Sequence, residues 1–566
     1  MAKKRIGLLG GGPSALFMYK RLIEANDSNF EVEIFERKSQ LGAGMPYSRE
    51  GALQEHITNV SANEIPEIVT PMSEWINTVP ELLETYNITP EKFNEYKVLP
   101  RLLFGRYLED QFALLQQQAK ENGIPTIVHL QSEVSDITDH PDTSNVEVEL
   151  SNGNKFYFDS VIICTGHNWP HEHEGKYPGY FDSPYPPSKL ELQLNHSVAI
   201  RGSSLTAIDA IRTLARQNGH FEERGDGLLK YIPAAGSDGF KMVMHSRNGL
   251  LPAVRFHLED THLKNDSLLT PEDITAHREK NGGYLSLDYI FEKDFKDLFK
   301  EKDPQFYSRI KDMDIEAFVD EMMQLRENLD PFVLLRAEYA EAEKSIRRHE
   351  SVYWKEMLAV LSFAMNYPAK YLSAEDMLRL KKTLMPLISI VIAFVPQTSC
   401  REMLALHDAG KLDIVSVGND GRVEPRDDGG ITYYYTGHEG EEKAVRYHTF
   451  VDSIGQPHLR FKDFPFKGLS KGKTVTPALL KFRDNGAGEA SLAEGNKEVQ
   501  RASNGDYYLQ VPGIGINDDF QVLDQYGAYS SRVYVMAVPY IGGYNPDYSG
   551  LDFSEAASAR IIERLT

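Results

Sequence analysis

A glycine-rich loop set between a strand and a helix constrains this chain more than any other feature. Arg5 to Leu9 reads as a short apolar strand, and Gly10-Gly11-Gly12-Pro13-Ser14-Ala15 follows it at once. A helix from about Ser14 to Glu24 comes next, then a second strand, Glu31 to Phe35, with Val32 and Ile34 alternating inward. That is a βαβ unit of the expected length, about 30 residues. The loop fits GxGxxA: Gly10 permits the tight turn, Gly12 lets backbone N–H groups approach a pyrophosphate, and Ala15 keeps the helix close to the strand. The phosphates then sit at the positive end of the helix. Glu36, at the end of the second strand and 26 residues after Gly10, is the acid expected to take a ribose hydroxyl pair. Gly10, Gly12, Pro13, Ser14 and Ala15, with Glu36 and Arg37, form the first set of candidate cofactor-binding residues.

At about 150 residues per module, 566 residues predict three to four units, enough to bury bound cofactors. Hydrophobic residues make up 41% and charged ones 25%, an ordinary globular composition. Lys and Arg number 61 against 83 Asp and Glu, a net charge of −22. So acidic a surface repels phosphate backbones and anionic lipid, and neither nucleic acid nor membrane is an expected partner. The greasiest run, Leu384 to Val395, spans 12 residues and contains Pro386 and Ser389, too short for a bilayer. The N-terminal apolar stretch stops at Leu9, so no signal peptide is expected. Cys164 and Cys400 are the two cysteines, with no CxxC pair or zinc spacing. A soluble cytoplasmic protein without a metal site is the expectation.

A second βαβ start lies at residues 197–214. The strand Val198-Ala199-Ile200 leads into Gly202-Ser203-Ser204-Leu205-Thr206-Ala207 and a helix with Leu205, Ile208 and Leu214 on one side. Its partner strand is Met242 to His245, after an insertion at 218–240. Ser246 and Arg247 end that strand where an adenosine ribose is expected, and a guanidinium there suits a 2′-phosphate, so NADPH is favoured over NADH. The serine at position 204 leaves less room for phosphate than glycine. The residues 257–385 turn to helical spacing: Phe318, Val319, Met322 and Leu325 form one stripe, and Trp354, Met357, Leu358 and Leu361 another. Thr270 and Ser373 are N-cap signatures, each with Asp three residues later. His171-Glu172-His173-Glu174 lacks the spacing of a helical metal site and reads as a solvated loop.

The run Asp159 to Gly166, an apolar strand ending in Thr165-Gly166, is similar to a signature of two-dinucleotide flavoproteins in which the chain crosses beside the first nucleotide. Three further stretches, Gly42-Ala43-Gly44-Met45-Pro46-Tyr47-Ser48, His56-Ile57-Thr58-Asn59-Val60-Ser61-Ala62, and Pro100-Arg101 with Phe104-Gly105-Arg106-Tyr107-Leu108, complete the pattern. Together they resemble the FAD/NAD(P)-binding family that includes flavin-dependent urate hydroxylase and aspartate N-monooxygenase. The resemblance covers residues 1–255 well, 257–385 thinly, and the tail from 396 moderately through Ser399-Cys400-Arg401 and Ser453-Ile454-Gly455.

The resemblance implies an α/β fold with two Rossmann-like dinucleotide-binding units, one for FAD and one for NADP, and an inserted, mainly helical subdomain. The expected divisions are residues 1–190 for the first part of the FAD-binding domain, 191–256 for the NADP-binding unit, 257–385 for the helical subdomain, and 386–566 for the remainder. Met45, Tyr47, Asn59, Val60, Arg101, Thr165 and Gly166 join the implied flavin set. Gly202, Ser203, Ser204, Leu205, Thr206, Ser246 and Arg247 form the NADPH set. The C-terminal Gly-Asp usual in the family is missing, and Gly542, Gly543 and Asp547 are expected to close over the flavin instead. Asn59 and His56 are the candidates for polar contacts near the reacting ring. The implied activity is hydroxylation of a small nitrogen-containing substrate, an amino-acid amine first and a purine-like ring second, by oxygen through a flavin C4a-hydroperoxide. A flavin reductase or dehydrogenase without oxygen insertion, and a non-catalytic cofactor-bound assembly protein, stand as alternatives.

Overall fold

The computed structural model describes residues 3–89, 93–166, 169, 171–225, 227–258, 268–366, 368–437, 439–456, 458–546 and 550–566. Two mainly parallel sheets organise the chain, each entered through one of the glycine loops. The first has six strands in the order Gln521–Leu523, Tyr529–Val535, Ser160–Ile163, Lys4–Leu9, Phe30–Phe35 and Thr126–His129. All pair in parallel except the edge strand Gln521–Leu523. Strands of a parallel sheet are covered on both faces, so they read as continuous apolar runs. Ile6, Leu8, Val32, Ile34 and Val161 through Ile163 are accordingly buried without exposure. Helix Pro13–Glu24 follows the first loop, and the last helix, Leu551–Leu565, packs along it. Lys20 and Arg21 on the former both pair with Glu555 on the latter. The tail thus completes the sheet that the N-terminus begins.

The second sheet is wholly parallel, in the order Tyr180–Phe181, Thr449–Asp452, Ser197–Arg201, Lys241–Ser246 and Leu412–Ser416. Helix Leu205–Gln217 leaves its central strand, as the apolar spacing predicts. The insertion between that helix and its partner strand carries a hairpin, Gly219–Glu223 with Leu229–Pro233.

Between the second sheet's strands lies the helical region. Its caps form as predicted: the Thr270 hydroxyl accepts from Asp273 N in a full capping box, and Ser373 accepts from Asp376 N. The apolar stripe on helix Ile315–Asn328 is only partly as predicted. Phe318 and Val319 are buried, but Leu325 is 61% exposed. Met323 and Arg326 take the buried side instead, because Arg326 pairs with Glu338 and donates to Leu251 O. On helix Tyr353–Ala364, Met357, Leu358 and Leu361 are buried, with Trp354 partly so. The run Leu384 to Val395 is a broken helix, with a π-helical turn at Leu380–Leu384 leading into Met385–Val391. Among the described residues no helix is long and apolar enough to cross a membrane. A three-stranded antiparallel sheet of the tail, Pro477–Lys481, Tyr507–Ile514 and Val499–Arg501, shares this region's core through Leu480, Leu509 and Val511.

Candidate functional site

The two glycine loops are built alike. Gly10 N donates to Phe35 O at 2.8 Å, and Gly202 N donates to His245 O at 2.8 Å. Gly10 has φ +111° and Gly202 φ +108°, a backbone region that L side chains avoid. A Cβ on Gly10 would lie 2.7 Å from Cys164 O, and one on Gly202 would lie 2.7 Å from Ser453 O. Cys164-Thr165-Gly166 and Ser453-Ile454-Gly455 are therefore equivalent segments, each ending the parallel strand beside its loop. Burial pushes the Cys164 thiol above its ordinary pKa, as for a core side chain.

One cleft of about 1970 Å³ runs from the first loop to the helical region. Gly10, Gly12, Pro13, Ser14, Glu36, Arg37, Met45, Tyr47, Asn59, Val60, Arg101, Thr165 and Gly166 line it. Ala15 lies beneath the loop, fully buried against the sheet. No side chain caps helix Pro13–Glu24, whose first residue after Gly12 is a proline, so its N-terminus opens on the cleft. Glu36 steadies the loop: Oε2 accepts from Gly11 N at 2.7 Å and Oε1 from Lys38 N at 2.8 Å. Each carboxylate oxygen keeps a further lone pair for ribose hydroxyls. The open helix end, the glycine approach and this acid fit the diphosphate and ribose of FAD.

From the second loop, Leu205 and Thr206 reach the same cleft; Gly202, Ser203, Ser204, Ser246 and Arg247 lie outside its lining. Ser203 Oγ donates to Leu250 O at 2.8 Å, and Ser246 Oγ accepts from Gly249 N at 3.0 Å, so both fix the turn. Ser204 is the exposed N-cap of helix Leu205–Gln217 and makes no side-chain cap bond. Arg247 is exposed two residues beyond His245, whose carbonyl holds Gly202, and its guanidinium has no ion-pair partner among the described residues. An uncapped helix end with an uncommitted hydroxyl and a nearby guanidinium fits a phosphorylated nucleotide.

Two expectations are corrected. His56 has no exposed surface and does not line the cleft. Its Nδ1 accepts from Leu53 N at 2.8 Å, so the other nitrogen carries the proton, and Nε2 donates to Asp209 O at 3.2 Å. Burial holds its pKa below the ordinary histidine value, and its role is to bolt its loop to the second unit. Gly542 and Gly543 are buried packing positions rather than a lid. A Cβ on Gly542 would strike the His458 ring, and one on Gly543 would strike Val511. Asp547 lies outside the described residues. The tail borders the cleft through Ala537 to Tyr540 and through Gly550 to Ser554 instead.

Sequence reasoning missed three contributors. Asp209, on helix Leu205–Gln217, accepts from Arg101 Nη1 at 2.5 Å and from Tyr185 Oη at 2.7 Å. Arg255 reaches back to Asn59 O, Ser61 Oγ and Glu64, with Arg255 and Glu64 both on the cleft wall. The helical region supplies Ala359, Ser389 and Ile392. Elsewhere, His171, Glu174 and Asp182 bring ligand atoms within 4.8 Å of one another. Asp182 Oδ2 there already accepts three backbone N–H groups, and Glu174 pairs with Lys189.

A model described as FAD-NAD(P)-binding matches residues 7–168, and one described as the YdhS-like middle domain matches residues 270–392. The uncharacterized protein YdhS of Escherichia coli (strain K12) is 28% identical over 477 residues, covering 82% of this chain and 86% of that protein. Among solved structures, the reduced form of ornithine hydroxylase (PvdA) from Pseudomonas aeruginosa is similar with a TM-score of 0.49 at 11% identity, over 100% of both chains. The ornithine N-hydroxylase KtzI of Kutzneria sp. 744 is similar with a TM-score of 0.46 at 13% identity, also over 100% of both. Bacillithiol disulfide reductase Bdr (YpdA) from Staphylococcus aureus has a TM-score of 0.42 at 10% identity, over 100% of this chain and 98% of that one. On a fold of paired glycine loops and two parallel sheets, the chain thus carries a segment similar to an FAD-NAD(P)-binding domain at residues 7–168 and one similar to a YdhS-like middle domain at residues 270–392.

Proposed function

We propose that the protein is an FAD- and NADPH-dependent monooxygenase that hydroxylates a small nitrogen-containing substrate with molecular oxygen. One observation carries the reading: a single cleft is bordered by the first glycine loop, by the helix start after the second, and by the middle domain. Two nucleotides and a substrate can thus meet along one cleft. FAD held at the first loop would supply the redox chemistry that links NADPH oxidation to oxygen. The chain's own part is to bind, orient and exclude water. Gly10 to Ser14 and Glu36 hold the first dinucleotide, and Ser204 with Arg247 hold the second. Asn59 lines the cleft from an exposed position, with its backbone oxygen pinned by Arg255, so its side chain is free to contact what binds there. Tyr540 Oη accepts from Thr165 Oγ1 at 3.4 Å and closes the wall behind the strand end.

The test is an anaerobic titration with NADPH and then NADH, following flavin absorbance near 450 nm, and then substrate screening under oxygen. Bleaching at lower NADPH than NADH, followed by substrate-coupled oxygen consumption, supports the reading. Bleaching without any oxygen-coupled product points to a reductase or dehydrogenase. A flavin that neither nucleotide bleaches sinks the catalytic reading and favours a cofactor-bound assembly protein.

A further inference from the structure

The corner of the cleft against the middle domain has a composition that selects its ligand. Glu64 is only 9% exposed, yet it borders the cleft. Its Oε2 accepts from Ser61 N at 2.8 Å and Ser61 Oγ at 2.6 Å, and also pairs with Arg255. Its Oε1 has no hydrogen-bond partner among the described residues. That oxygen opens on the cleft, where it is left to accept from whatever binds there.

The cleft wall that continues from Arg255 toward the middle domain carries apolar side chains. Residues 253–255 run beside 390–395, with Ala253 N donating to Ile390 O at 2.9 Å and Arg255 N to Val395 O at 2.8 Å. Asn63 Nδ2 donates to Leu258 O at 3.0 Å, which draws Leu258 to the same place. Leu258, Ile392, Phe394 and Ala359 all line the cleft. The Glu64–Arg255 pair is electrically neutral as a unit. An amino-acid amine, the expectation from sequence, would therefore bring an ammonium and a carboxylate to a wall whose two described charges already satisfy each other.

We propose that this corner is the substrate end of the cleft, and that Glu64 Oε1 accepts a hydrogen bond from an uncharged N–H group carried on an apolar, ring-sized body. What the bound molecule then undergoes rests on the monooxygenase reading; what binds rests on the wall alone.

Calorimetry on the FAD-loaded protein tests it with three probes: indole, 1-methylindole and L-ornithine. Indole is expected to bind, 1-methylindole at least tenfold more weakly, and L-ornithine more weakly than either. Glu64→Gln should weaken indole about tenfold while barely changing 1-methylindole. Ser389 is an exposed position on the same wall, its Oγ donating only to Pro386 O, so Ser389→Trp fills the corner without disturbing the core. It should abolish indole binding, and it decides the matter if Glu64→Gln fails to fold. Equal binding of the two indoles, tighter binding of L-ornithine, no indole binding at millimolar concentration, or no effect of Ser389→Trp overturns the proposal. Binding as expected in a protein whose flavin NADPH does not bleach would leave this corner standing and sink the monooxygenase reading instead.

Discussion

Arg101 Nη1 lies 2.5 Å from Asp209 Oδ2, and this pair ties the first dinucleotide unit to the second. Arg101 opens helix Arg101–Glu121 at the cleft wall, and Asp209 sits one turn into the helix that follows Gly202. Tyr185 Oη shares the same carboxylate oxygen, and His56 Nε2 takes the Asp209 backbone oxygen. Three segments of the chain thus hang on one residue of the second helix. Because Leu205 and Thr206 start that helix at the cleft wall, the network fixes that helix start against the wall that Arg101 also lines.

Removing Asp209 should be far more damaging than removing a surface acid. Asp209→Ala leaves the Arg101 guanidinium largely buried without its counter-charge, which costs about 3 kcal/mol or more. Urea unfolding should show that loss, and the double variant Arg101→Met with Asp209→Ala should recover much of it. A single variant within about 0.5 kcal/mol of the parent would mean the pair carries no net coupling.

Local signals were legible in the sequence because they need only neighbouring residues. The Gly10 and Gly202 turns, the Thr270 and Ser373 caps and the outline of both βαβ units depend on backbone shape within a few positions. The site's polar pairs were not legible, since Arg101 and Asp209 are 108 residues apart and Arg255 and Glu64 are 191 apart. Apolar periodicity also failed at Leu325, where Arg326 turns inward to Glu338 and carries a charge into the face that the pattern reserves for hydrophobes. His56 was misassigned for a related reason: its motif marks the loop, while its partner Asp209 comes from another unit.

Acid should destabilise the protein through His245. The ring is stacked on Tyr433 at 4.2 Å between centroids, with Nε2 3.3 Å from Tyr447 Oη. Burial pushes its pKa down from 6.5 to about 4. Below pH 6.5 the unfolded chain takes up this proton and the folded one does not, so stability falls as pH drops toward about 4. The full contribution across that window is about 3 kcal/mol. Denaturant unfolding at pH 7, 5.5 and 4.5 should show a steeper decline for the parent than for His245→Phe, and parallel declines would refute the assignment.

Arg247 should decide between the two nicotinamide cofactors. Its guanidinium is exposed and has no described ion-pair partner, so Arg247→Gln disturbs no internal contact. Loss of a charge-assisted phosphate contact of about 1.5–3 kcal/mol should raise the NADPH concentration needed for half-bleaching by roughly tenfold to a hundredfold. NADH should be unaffected, because it has no 2′-phosphate to lose. An equal loss for both cofactors would move the recognition elsewhere.

Gly10 and Gly12 should fail in different ways although they are two residues apart. Gly10 stands at φ +111°, and an added Cβ would lie 2.7 Å from Cys164 O and 2.9 Å from its carbonyl carbon. Neither atom can retreat, because Cys164 N is held to Leu9 O at 2.8 Å in the adjoining strand. Gly10→Ala should therefore lose about 1–3 kcal/mol from backbone strain alone, with the clash added to it. Gly12 has φ −83°, which any residue adopts, and the nearest atom to its added Cβ is Gly44 Cα at 3.4 Å, an ordinary contact. Gly12→Ala should keep the parent's thermal midpoint in the flavin-free protein. The new methyl nevertheless stands at the open end of helix Pro13–Glu24, where a diphosphate must approach the backbone. The ratio of flavin absorbance to protein should fall sharply in Gly12→Ala at unchanged apoprotein stability, while Gly10→Ala should lose both together. A Gly12→Ala protein that retains its full complement of FAD would show that the diphosphate does not lie against this loop.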